Sequence, residues 1–170
     1  MQTRRFVPPG SATIQQDLKQ SKPFRSRSQE AYVALLRTAD DSKRFLSHLL
    51  DAKDVTLQQY NVLRILRGAG DDGLPTLSIG ERMIERTPGV TRLIDRMERK
   101  GWVTRERCME DRRRVWCMIT AEGLALLTHL DAPIDSVDDV LEEALSEKEL
   151  GTLTSYLDRI RARLTQLDQV

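Results

Sequence analysis

The sequence predicts a mainly α-helical chain with one small β-hairpin, and three observations carry that prediction. Apolar residues recur at three- and four-residue spacing through most of positions 29–167. Only two runs, 102–105 and 115–119, concentrate strand formers, and a polar, arginine-rich link joins them. Aromatics are 5% and charged residues 31% of the 170 positions. That composition disfavours a large solitary core and favours amphipathic helices buried against a partner chain.

Taken in order, residues 1–28 hold Arg4, Arg5, Pro8, Pro9 and Pro23 with no sustained period, and read as an arm, disordered or draped on something. Ala31, Leu35, Ala39, Leu46 and Leu49 predict a helix over 29–51. Val55-Thr56 opens a second helix along Tyr60, Leu63 and Leu66, stopped by Gly68-Ala69-Gly70 and a turn at 71–73. A short third helix spans 76–83, weakened by Gly80 at a cost of about 1 kcal/mol against alanine. The fourth runs from Pro88 to Lys100. Thr87 serves as its N-cap, Pro88 takes the first helical position, and Gly101 is the stop. After the hairpin, Thr120 begins a helix with Leu127, Leu130, Ile134, Val137 and Leu141 on one stripe, and Pro133 inside it predicts a kink or break. Ser146 to Glu149 forms a capping box for a last helix. Its Leu150, Leu153, Leu157, Ile160, Leu164 and Leu167 make a coiled-coil-like seam suited to a partner chain.

The net charge of +1 conceals an asymmetry. Residues 1–75 carry 12 basic and 8 acidic side chains, 76–115 carry 11 and 7, and 116–170 carry 4 and 11. The basic excess therefore lies with the fourth helix, the hairpin and the N-terminal half, as expected when one end of a molecule faces phosphate. No stretch approaches the roughly 20 apolar residues that span a bilayer, and no secretory signal opens the chain, so the expected location is cytoplasmic. Two cysteines make no disulfide framework.

A helix, a glycine stop and a hairpin tipped with arginines is the sequence form of a winged helix-turn-helix, here joined to a helical dimerisation region. The expected organisation is an arm at 1–28, dimerisation helices at 29–54 and 120–167, and the winged unit at 55–119. The run PGVTRLIDRMERKGWVTR at 88–105, then Asp111-Arg112-Arg113, then Ile119-Thr120-Ala121-Glu122-Gly123, resembles the MarR family of bacterial transcriptional regulators. The resemblance extends over about 29–165 in helix order, and its specific part is 76–123. It implies a homodimer on double-stranded DNA at a pseudo-palindromic operator, released by a small molecule or oxidant. Three departures stand out: a longer arm, Gly80 where a helix-favouring small residue is usual, and no cysteine in the first helix. The last argues against the oxidation mechanism of the peroxide-sensing members.

Candidate DNA-binding residues follow. Thr87, Pro88, Gly89, Thr91, Arg92 and Arg96 sit toward the start of the fourth helix, where an inserted helix meets base edges and its free N–H groups favour phosphate. The competing view is a solvated face whose arginines pair with Asp95 or Glu98. By the resemblance, Arg112 and Arg113 reach the minor groove, Arg113 being favoured, and Asp111 holds an arginine in place. Cys108 and Cys117 lie on opposite arms of the hairpin and are expected to face each other, which allows a redox switch; two reduced thiols are the commoner outcome. An effector pocket would lie, by resemblance, between the first two helices, the fifth and the winged unit, with Tyr60 and Trp102 as liners that serve equally as core. His48 and His129 lack any metal-ligand spacing, and no metal or cofactor is expected.

The reading is therefore a dimeric DNA-binding regulator, a repressor released by an effector. The alternative from another class is a winged-helix protein-protein interaction module without specific DNA binding. Such a module has no need of Arg92, Arg96, Arg112 and Arg113 together. An enzyme is not expected, since no nucleophile and base, phosphate loop or metal motif is present.

Overall fold

The computed structural model describes residues 12–85, 88–107 and 115–167. The chain divides into two units, Met1–Phe45 and Leu46–Val170. In the first, Ile14–Asp17 forms a four-residue helix, α1, inside the segment read as an arm. Thr13 caps it, accepting from the Gln16 N–H at 3.3 Å while Gln16 accepts from the Thr13 N–H at 2.8 Å. Helix α2 (Arg27–Asp51) begins two residues before its expected start, because the Ser26 hydroxyl accepts from the Gln29 N–H at 3.1 Å. Arg37 on α2 pairs with Asp17 at 3.0 Å and ties α1 down.

The second unit carries α3 (Leu57–Ala69), strand β1 (Leu74–Pro75), α4 (Thr76–Arg82), α5 (Val90–Arg99), β2 (Val103–Arg107), β3 (Val115–Ile119), α6 (Ala121–Ala144) and α7 (Glu147–Leu167). The fold is mainly helical with a small antiparallel sheet, as expected, but the sheet has three strands in the order β1-β3-β2. The sequence shows no sign of β1. Two residues cannot display a period, and Leu74 and Pro75 become a strand only by lying opposite Cys117 and Trp116. Proline is tolerated there because β1 is an edge.

Leu63, Leu66, Ile79, Ile94, Met97 and Leu127 are fully buried at the centre of the core, which α3, α4, α5, the sheet and the start of α6 enclose. Helix α3 starts on a capping box in which Thr56 accepts from the Gln59 N–H and Gln59 from the Thr56 N–H. Where α6 begins, three bonds meet: Thr120 accepts from the Gly123 N–H at 3.0 Å, donates to the Gly101 carbonyl at 2.7 Å, and its own N–H reaches the Trp102 carbonyl at 3.1 Å. A Cβ at Gly123 would lie 2.4 Å from that Trp102 oxygen, so only glycine allows the approach.

Helix α6 runs unbroken through Pro133, which corrects the expectation of a break there. Gly123, Leu127 and Leu130 are buried, and Arg67 grips both oxygens of Asp131 at 3.0 and 2.9 Å, so the helix is firmly formed up to that point. Continuing past one missing N–H costs less than nucleating a new helix. Helix α7, by contrast, has no buried residue.

Candidate nucleic-acid interface

Helix α5 does not begin as the sequence suggested. Its first residue is Val90 and its N-cap is Gly89, held at φ +96° in the left-handed region that glycine tolerates best. Pro88 therefore lies in the preceding turn and not at the first helical position. Thr87, the expected cap, lies outside the described residues, as do Cys108, Asp111, Arg112 and Arg113. Gly89 brings no side-chain hydrogen bond to the first turn, which leaves N–H groups there for an anion. The turn is tied to α3: the Asn61 side chain accepts from the Ile84 N–H at 2.8 Å, and Gln58 donates to Glu85 at 2.9 Å.

Leu93, Ile94 and Met97 face inward, which turns Thr91, Arg92 and Arg96 to solvent. Asp95 and Glu98, the obvious local partners for those arginines, are instead bound by Arg105 of β2. Among the described residues Arg92 and Arg96 take part in no ion pair. Both line an open cleft of about 320 Å³ with Thr56, Gln58, Pro88, Gly89 and Leu93, between the first turns of α3 and α5. Two guanidinium groups and two helix N-termini thus border one hollow, a setting for phosphate.

The other end of α5 is equally fixed. The Gly101 N–H donates to the Glu98 carbonyl at 2.9 Å and the Trp102 N–H to the Met97 carbonyl at 3.0 Å, a Schellman stop. Lys100 reaches the Asp54 carboxylate at 2.7 Å and lies over the Trp102 ring at 4.5 Å. The wing root is a regular ladder whose last described pair is Arg107 with Val115.

Cys117 lies opposite Arg105 across the hairpin, so the expectation that it faces Cys108 is corrected. The register is set by pairing Val103 with Ile119, which equal spacing from the middle of the link did not anticipate. Burial pushes the Cys117 thiol up, while the Thr76 hydroxyl 3.5 Å away works in the opposite direction. Such a thiol is a poor nucleophile. Tyr60, offered as a pocket liner, is 7% exposed and belongs to the core, its hydroxyl accepting from Arg64 at 2.8 Å. Trp102 is half-buried against the same core. His129 lies 2.6 Å from the Ala125 carbonyl of its own helix, and among the described residues no three His, Cys, Asp or Glu side chains cluster.

A compact helix-turn-helix with an antiparallel wing and a bare arginine face at the start of its second helix defines a winged-helix DNA-binding protein. Residues 55–115 match the family model described as MarR family. The crystal structure of a MarR transcription factor from Planctomyces limnophilus shares 37% identity with the chain, with a TM-score of 0.62 over 80% of this chain and 98% of that one. The MepR–DNA complex of S. aureus shares 27% identity with a TM-score of 0.71, covering 78% and 97%. The homoprotocatechuate degradative operon repressor of Escherichia coli is 25% identical over 130 residues, 76% of this chain and 86% of that protein. The chain belongs to the MarR family. It is a transcriptional regulator and not an enzyme. Among the described residues no helix is long and apolar enough to cross a membrane.

Sequence reasoning missed Arg105 and Gln58. An arginine alternating with threonine and glutamate in a strand reads as solvated. The available signal was the pair Asp95 and Glu98, three residues apart, followed by a strand that folds back immediately after a glycine stop.

Proposed function

We propose that the chain is a dimeric repressor that binds a pseudo-palindromic operator in double-stranded DNA and leaves it when a small-molecule effector binds. In this reading residues 55–119 read the DNA, 29–54 and 120–167 form the dimer body, and 1–28 is an accessory arm. The observation that carries it is the pair Arg92 and Arg96, exposed and without ion pairs among the described residues, beside the open first turn of α5. Thr87, Pro88, Gly89 and Thr91 supply the close approach to bases and phosphates, Arg92 and Arg96 the charge. Arg112 and Arg113 enter the minor groove, with Asp111 orienting one of them.

Dimerisation is supported by Leu153, Ile160, Leu164 and Leu167 of α7, each between 39% and 55% exposed along one seam. Two recognition helices must then sit about 34 Å apart, one turn of DNA, and an effector that changes this separation loses the operator. Repression is supported by the name of the Escherichia coli relative.

Fluorescence anisotropy on the DNA upstream of the chain's own gene, beside a scrambled duplex and at several salt concentrations, tests the reading. The expected result is salt-steep preference for the native duplex, with Arg92→Ala and Arg113→Ala each weakening it and each lowering the salt slope by about one. No binding even at low salt overturns the interface. A panel of aromatic acids added to the bound complex tests release; unchanged affinity throughout removes the effector from the reading.

A further inference from the structure

Helix α5 carries Arg92, Arg96 and Arg99 together with Asp95 and Glu98 in ten residues. On so short a helix the default is local pairing at three- and four-residue spacing, which would tie Asp95 to Arg92 or Arg99 and so engage one of the arginines that DNA needs. The structure avoids it through a residue of another element. Arg105 of β2 donates from Nη1 to Oδ1 of Asp95, and from Nε at 2.9 Å and from Nη2 to Oε2 of Glu98. Carboxylates three residues apart share a face about 4.5 Å apart along the axis, a span that one planar guanidinium bridges.

We propose that Arg105 is a charge-compensating positioning residue: it draws Asp95 and Glu98 to the wing root and neutralises them, so that α5 offers DNA its Arg92 and Arg96 without a competing carboxylate. The proposal rests on the reading of α5 as the DNA-facing helix. Arg105 sits at the middle of β2, paired to β3, so it is fixed to the sheet and not to a loop. The three side chains are 29%, 42% and 37% exposed, for Arg105, Asp95 and Glu98 in turn. Pairs so open to water contribute little to stability, which sets this arrangement apart from a folding device. Its weight falls on the field that the helix presents, where an uncompensated carboxylate facing phosphate is repelled.

The test compares operator affinity and salt slope for wild type, Arg92→Ala, Arg105→Gln, and the triple variant Arg105→Gln/Asp95→Asn/Glu98→Gln, with thermal unfolding alongside. Arg105→Gln is expected to weaken binding about tenfold or more with little change in melting temperature. The triple variant, which has no ion pair left, is expected to return to within about threefold of wild type, because no carboxylate remains to compensate. A triple variant as weak as Arg105→Gln overturns the proposal, as does Arg105→Gln binding at full strength. Should Arg105→Gln fail to fold, Asp95→Asn/Glu98→Gln in the presence of Arg105 decides: affinity at or above wild type supports compensation, and a loss refutes it. If wild type shows no specific binding, or Arg92→Ala binds fully, the interface itself is wrong and the proposal goes with it. With those two controls as expected, any of the overturning outcomes above refutes the role of Arg105 and leaves the interface standing.

Discussion

The winged unit and helix α7 carry similar apolar periodicity and spend it differently. In the winged unit Leu63, Leu66, Ile79, Ile94 and Met97 reach zero exposure within one chain, while along α7 the same kind of stripe stays open and buries nothing. A period shows that a face will be covered; it does not say by what. Three helices crossing over a sheet close a core internally, whereas a single long helix at the chain end has a seam that another copy of the chain would fit.

The largest way to break that contrast is Ile94→Ala. It should cost about 2–5 kcal/mol in urea unfolding followed by tryptophan fluorescence, since both tryptophans, Trp102 and Trp116, lie in the winged unit. Gly123→Ala comes next, at about 1–3 kcal/mol, because its methyl meets the Trp102 carbonyl and something must move. Thr120→Ala should cost about 1 kcal/mol by removing the cap of α6. Ile160→Lys sharpens the comparison from the other side. The tryptophan signal should be retained, while sedimentation should show loss of the dimer and the melting temperature should lose its dependence on protein concentration.

The smallest effect concerns Glu149, whose carboxyl is held below its ordinary value first by the Ser146 hydroxyl and then by the Ser146 amide. A depressed carboxyl contributes stability above its unfolded value and loses it as pH falls through the folded one. The protection factor of the Leu150 amide, whose N–H bonds to the Ser146 carbonyl, should therefore fall on acidification below the ordinary carboxylate range, once exchange is corrected for its intrinsic pH dependence. Ser146→Ala should weaken that pH dependence, because it removes the hydroxyl and keeps the amide.

Most helices were legible because each is announced locally: Thr56 and Thr120 as caps, Gly101 as a stop, and Ser146 with Glu149 as half of a box, the Glu149 carboxylate accepting from the Ser146 N–H. What was illegible depends on partners distant in sequence. Strand β1 exists because Leu74 meets Cys117, and Cys117 faces Arg105 because of a register fixed at Val103 and Ile119. The start of α5 was misplaced because Thr-Pro is a sound local cap, and the left-handed Gly89 overrode it. Pro133 was overestimated as a breaker because α6 is already secured up to Asp131. At the interface, Arg92 and Arg96 were found as residue types at a helix start, but the fate of Asp95 and Glu98 depends on the strand that folds back over them.

Thr120 has one further consequence. With its hydroxyl it holds the last turn beyond α5 by the Gly101 carbonyl and the first turn of α6 by the Gly123 amide, so the two helices are pinned at a common pivot. Helix α6 spans 24 residues, a rod of about 36 Å, and tilting such a rod by about 5° sweeps its far tip through about 3 Å. Were α6 to tilt about Thr120, sideways travel at Ala144 would reach the foot of α5 as rotation through these two bonds.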